Sequence, residues 1–154
     1  MKRKTALSCT AAALLAITAV AHGAGKPTPA ERAVGYRQGV MTAVGWNFGP
    51  MAGMVKGEIP FDAKAFALRA ERVAFLSTLP LEGFIPNSRI GKTEAKAEIW
   101  DNMDDFKSKM ETFQTEATKL SDLAKTATAL DALKPQFGKV GQACKDCHDE
   151  YKEE

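Results

Sequence analysis

Apolar side chains recur along this chain at steps of three and four residues, the spacing that lines one face of an α-helix. The clearest run is Ile99, Met103, Phe106, Met110, Phe113, Ala117 and Leu120. Its steps alternate four and three, which predicts one long helix with a heptad-like seam, and Thr93 is placed to cap its start. A second run is Leu130, Leu133, Phe137, Val140, Cys144, Cys147 and Tyr151. Asp131 or Thr128 can cap that helix, with Pro135 in its first turn, where proline is tolerated. A third run is Val34, Arg37, Met41, Val44, Phe48, Met51 and Val55, and Pro50 is expected to kink or interrupt it. The segment from Lys56 to Asp62, KGEIPFD, reads as a turn. Asp62 then caps a helix through Phe66, Val73 and Leu76 to Leu79, stopped by Pro80. Residues 81–92, with Pro86, Asn87 and Gly91, form the one longer connection. No stretch shows the strict alternation of a strand. The pattern predicts an all-α protein, an antiparallel four-helix bundle.

The first residues stand apart from that pattern. MKRK is followed by an apolar stretch from Thr5 to Val20 and by small residues at Ala19–Ala21, the layout of a secretory signal peptide. Residues 1–21 are therefore expected to be a leader, cleaved between 21 and 24, with residues 22–154 forming the bundle domain. A membrane anchor would be longer and differently flanked. Cys9 lies near the start of the apolar run, where it is not a lipidation site. The leader alters the charge balance. Loss of Lys2, Arg3 and Lys4 takes the 21 basic residues to 18, against 19 acidic. A near-neutral mature chain offers no nucleic-acid surface, and no membrane role follows once the leader is gone. Export puts the chain in the periplasm, an oxidising compartment where a disulfide is permitted.

The chemistry concentrates in CKDCHDEYK, from Cys144 to Lys152. A redox Cys-x-x-Cys normally opens a helix after a strand, where the helix dipole lowers a thiol pKa, whereas this pair continues the inward face of the last helix. A closed zinc site needs about four ligands, and the mature chain has two cysteines and one histidine beyond its N-terminal end. Covalent haem c needs two thiols for thioether links and the next histidine as the proximal iron ligand. Cys144, Cys147 and His148 are spaced three and four apart, so they share one helix face, and that face is the one the seam buries. The motif occurs once, which implies one haem c per chain, covalently bound by Cys144 and Cys147 with His148 on the iron.

The sixth position of the iron has few candidates. The other histidine, His22, falls at the cleavage junction. Five methionines follow the leader, and Met41 is singled out because it shares the inner stripe of the first helix with Arg37, one turn away. An arginine on an inward seam is costly unless it meets an acceptor. A haem propionate would satisfy Arg37, with Gln38 adding a polar contact. The competing reading has Arg37 snorkelling to the bundle end.

The chain resembles cytochrome c′, the four-helix class II c-type cytochromes of bacterial periplasms. The resemblance rests on YRQGVM (36–41), GWNFGPM (45–51), KGEIPFD (56–62), AEIWDNMDDFK (97–107) and VGQACKDCHDEYK (140–152), and spans the chain from about Glu31 to the end. It implies a five-coordinate, high-spin iron with His148 as the sole protein ligand and the distal side closed by an apolar side chain at Met41. It implies that nitric oxide and carbon monoxide bind there and that Arg37, Gln38, Phe84 and Glu94 contact the haem. Homodimers through the first two helices are common in the family. Two departures stand out. Lys152 occupies a place where many members carry arginine, losing the planar fork. Six-coordinate relatives use a methionine at the position of Met41, which leaves a low-spin His/Met electron carrier as the alternative. A haem-free binding module is the third reading. Carrying single electrons needs a redox partner protein that the sequence does not identify. No second histidine or nucleophile constellation points to an enzyme.

Overall fold

The computed structural model describes residues 26–153. The expected leader, with Cys9 and His22, lies outside the described residues. Four long helices form the bundle: α1 Pro29–Lys56, α2 Ala63–Leu76, α4 Met103–Ala124 and α5 Lys134–Tyr151, with a single turn, α3 Glu98–Asp101, ahead of α4. Helix α1 packs on α2, α2 on α4 and α4 on α5. Phe66, Met51, Leu120 and Val140 are fully buried between them. No helix among the described residues is long and apolar enough to cross a membrane.

Local sequence explains the helix ends. Thr28 accepts from the Glu31 amide at 3.2 Å while the Glu31 carboxylate accepts from the Thr28 amide at 2.7 Å, a reciprocal capping box. Asp62 caps α2, as the sequence predicts, by accepting from the Ala65 amide at 3.0 Å. Gly57 closes α1 in the left-handed region, φ 77°, where a side chain would be strained.

Several boundaries differ from the sequence expectation. Pro50 does not interrupt α1. It has no N–H to offer the carbonyl four residues earlier, and Arg69 of α2 donates to that carbonyl, of Trp46, at 3.3 Å. Helix α2 ends at Leu76, and Pro80 starts a 3₁₀ turn, Pro80–Gly83. Thr93 caps no helix. The chain is irregular until Glu98, and a break at Asn102 (φ −122°, ψ 44°) separates α3 from α4. The seam keeps its phase across that break, since Ile99 is buried and Met103 packs on the core. Neither Asp131 nor Thr128 caps α5. A 3₁₀ turn, Leu130–Ala132, precedes it and no side chain caps its start. Asp131 instead pairs with Lys134 at 2.7 Å.

Candidate functional site

A cavity of ≈ 450 Å³ opens among α1, α4, α5 and the crossover segment 84–95. Ligand and cofactor pockets span about 300–1,000 Å³. Its walls are mainly apolar: Val44 and Phe48 of α1, Ile99 of α3, Phe106, Met110 and Phe113 of α4, and Ala143 of α5. Three aromatic rings brace one side. Phe84 meets Phe106 edge-on with centroids 4.7 Å apart, and Phe106 meets Tyr151 edge-on at 5.2 Å.

All the residues singled out in the sequence line this one cavity. Arg37, Gln38 and Met41 reach it from α1, Phe84 and Glu94 from the crossover, and Cys144, Cys147 and His148 from α5. The helical phase does this. Positions 37, 41, 44 and 48 form one stripe on α1, and 144, 147, 148 and 151 form one on α5.

The thiols are not joined to each other. Burial raises both thiol pKa values, that of Cys147 to about 11. At neutral pH they are protonated, unlike the thiolates that redox Cys-x-x-Cys pairs present. They also sit in the last turns of α5, away from the positive end of its dipole. Among the described residues no group of three or more His, Cys, Asp or Glu side chains is placed to hold a metal ion. Burial, and then the nearby Lys152 charge, lower the pKa of His148. Its imidazole is thus kept neutral, the form that binds a metal. An apolar cavity with two thiols and a neutral imidazole on one helix face fits a covalently held haem.

The polar groups at the cavity rim are engaged with one another. Arg37 is 3% exposed, so it does not snorkel. Its guanidinium donates to Gly83 O at 2.8 Å, Ser88 Oγ at 3.0 Å, Ser88 O at 2.8 Å and Thr93 Oγ1 at 3.1 Å. Gln38 donates to the Lys92 carbonyl at 2.8 Å. Glu94 pairs with Lys152 at 2.9 Å, and this bond with its attendant charge lowers the Glu94 carboxyl pKa. Backbone bonds continue the closure: Lys96 N to Tyr151 O at 3.0 Å and Glu153 N to Glu94 O at 2.7 Å. The crossover is thereby tied to α1 on one side and to the end of α5 on the other.

Sequence reasoning missed two members of this site. The sequence pattern gives Tyr151 only a place on the α5 seam, yet its ring lines the cavity and its hydroxyl donates to Asp105 Oδ2 at 2.7 Å. Its position three residues after His148, on the face already assigned inward, was the available signal. Ser88 is fully buried in the crossover, and nothing in the local pattern marks it.

The family model described as Cytochrome C' matches residues 32–152. A cytochrome c′ of Halomonas halodenitrificans is 39% identical over 129 residues, covering 80% of this chain and 98% of that protein. The solved structure of cytochrome c prime from Shewanella frigidimarina aligns with a TM-score of 0.78 at 45% identity, covering 84% of this chain and all of that one. The nitric oxide complex of a mutant cytochrome c prime from Alcaligenes xylosoxidans aligns with a TM-score of 0.74 at 40% identity, covering 81% of this chain and 96% of that one. A carbon monoxide-bound variant of that same protein is also similar, with a TM-score of 0.74.

Proposed function

The chain belongs to the cytochrome c′ family, and from that premise we propose that it is a periplasmic haem protein that binds nitric oxide and carbon monoxide at an open sixth position of the iron. It carries one covalently attached haem c. When bound, that group supplies an iron site and a single-electron redox couple. The observation that carries the reading is the mainly apolar cavity wall on the Met41 stripe, with Val44, Phe48, Phe106, Met110 and Phe113, while the one carboxylate lining the cavity, Glu94, is paired with Lys152. Such a wall disfavours charged ligands and admits small neutral ones.

In this reading Cys144 and Cys147 hold the haem and His148 is its protein ligand. Met41, half-buried on the α1 stripe, closes the distal side without bonding the iron. Phe84 would pack against the ring system, and Gln38 and Glu94 would stand at its polar edge. Arg37 is a buried cation with no carboxylate partner among the described residues, and an acid group of the haem would supply the missing charge. The protein's role in this reading is to bind gas or pass single electrons, not to catalyse a reaction. Residues 1–21 act as the export leader, and residues 22–154 form the working domain.

The reading is tested by the visible spectrum of the purified holoprotein, ferric and ferrous, before and after carbon monoxide. The expected result is a broad high-spin ferrous spectrum that sharpens when the gas is added. A sharp low-spin spectrum indifferent to carbon monoxide overturns it and makes Met41 an iron ligand in an electron carrier.

The pairing of two chains is also part of the proposal. Trp46 on α1 and Phe75 and Leu68 on α2 are 77%, 65% and 47% exposed, and large apolar side chains grouped on neighbouring helices are what a partner surface buries. We expect a homodimer through α1 and α2. The Trp46→Glu variant should sediment as a monomer with an unaltered visible spectrum. A native protein that is already monomeric at tens of micromolar rules this interface out.

A further inference from the structure

We propose that Arg37 is a latch on the crossover loop, and that it shapes the gas pocket through the loop it holds and the Phe84 ring that loop carries. The inference deepens the haem-site reading above and rests on it for its effect on the pocket.

The first half of the loop has few other ties. Residues 94–96 are bonded to the end of α5 through Glu94 O and Lys96 N, but between Phe84 and Thr93 the chain forms no long helix and its own backbone bonds are few: Phe84 N to Leu81 O and Ser88 N to Ile85 O. Arg37 supplies what the backbone lacks. Each of its two terminal nitrogens serves two acceptors, and these acceptors lie at Gly83, Ser88 and Thr93. One planar group thus fixes three points spread over the segment, which a lysine ammonium cannot do in the same geometry. The guanidinium also lies 4.9 Å from the Phe84 centroid and 5.6 Å from the Trp100 centroid, within cation–π range. Trp100 adds a bond from Nε1 to Ile85 O at 2.9 Å.

The first turn of the crossover is seated on the same residue. A Cβ at Gly83 would come within 2.7 Å of Arg37 Cβ and 3.1 Å of Ala33 O, so the absence of a side chain there lets the loop approach α1. Among the described residues Nε makes no hydrogen bond, leaving one donor for a haem acid group while the four terminal N–H groups hold the protein. The latch and the haem contact are therefore separable. Ser88 touches the latch and does not line the cavity.

The test uses holoprotein carrying Arg37→Lys, Ser88→Ala, or both. Amide hydrogen exchange of Phe84 and Ser88 should rise about tenfold or more in Arg37→Lys, with α2 and α4 core amides unchanged, because the loop opens locally. Ser88→Ala should shift the same amides in the same direction by a smaller factor. The rate of carbon monoxide association to the ferrous protein should change in both single variants, and the double variant should change no further than Arg37→Lys alone. Native protection of the loop in Arg37→Lys overturns the proposal. So does a Ser88→Ala protein identical to native in both readouts, which would assign Arg37 to direct haem contact. If the native protein does not bind carbon monoxide, the gas-binding reading fails, while the exchange data together with the reduction potentials of the same variants still decide the latch.

Discussion

The Cys144→Ala/Cys147→Ala double variant, made alongside the haem-attachment machinery, is expected to lose its colour on acid–acetone extraction and to lose most of its stability. Both losses follow from the site. The thioether links are the only covalent hold the motif provides, so haem that enters the cavity becomes extractable. Without a resident group, the ≈ 450 Å³ cavity leaves Phe106, Met110 and Phe113 without packing partners on one side. At about 24 cal/mol per Å³ of residual cavity, a dry void of that size would cost ~11 kcal/mol, a ceiling here because this cavity opens to solvent. A domain's whole stability is about 5–15 kcal/mol. The thermal midpoint should therefore fall by roughly 15 °C or more, or the cooperative transition should vanish. A colourless double variant that melts where the native protein melts would show that the cavity is not filled by haem. Retained colour after extraction would show that these thiols are not the attachment points.

The helices and the chemical face of the site were legible because both obey the same period. A step of three or four residues places Cys144, Cys147 and His148 together whether or not their partners are known, and the α1 stripe brings Arg37 and Met41 to the same cavity by the same rule. What escaped was set by contacts between segments distant in sequence. Pro50 reads as a break because its missing N–H is local, while the donor that compensates, Arg69, comes from another helix. Thr93 reads as a cap because hydroxyls favour helix starts, yet its oxygen accepts from Arg37 Nη2 at 3.1 Å. The sequence marks Arg37 as an inward cation in need of acceptors, and the side chain is buried. It could not say that carbonyls and hydroxyls of the crossover would meet that need, because a loop with no period has no readable face.

Met41→Ala should bind carbon monoxide faster than the native protein by about tenfold to a hundredfold. Met41 is half-buried at the cavity wall on α1, and no polar group holds its thioether. For a gas to occupy the space it covers, the side chain must turn aside among Val44, Phe48 and Phe106. Forcing extra volume into a packed site costs about 1–3 kcal/mol, and each 1.36 kcal/mol removed from a barrier is about tenfold in rate. Truncation to alanine removes that displacement and leaves the ferrous spectrum of the unligated protein high spin, as before. Stopped-flow mixing of ferrous protein with carbon monoxide reads the rate, and the spectrum before mixing reads the coordination. The two roles open to Met41 separate here. A lid changes the rate alone, whereas an iron ligand, once removed, converts a low-spin spectrum to a high-spin one and creates gas binding where there was none. An unchanged rate and an unchanged spectrum would mean that the side chain neither gates nor binds, and that access is set instead by the rings of Phe84 and Phe106, whose 4.7 Å contact depends on the crossover that Arg37 holds.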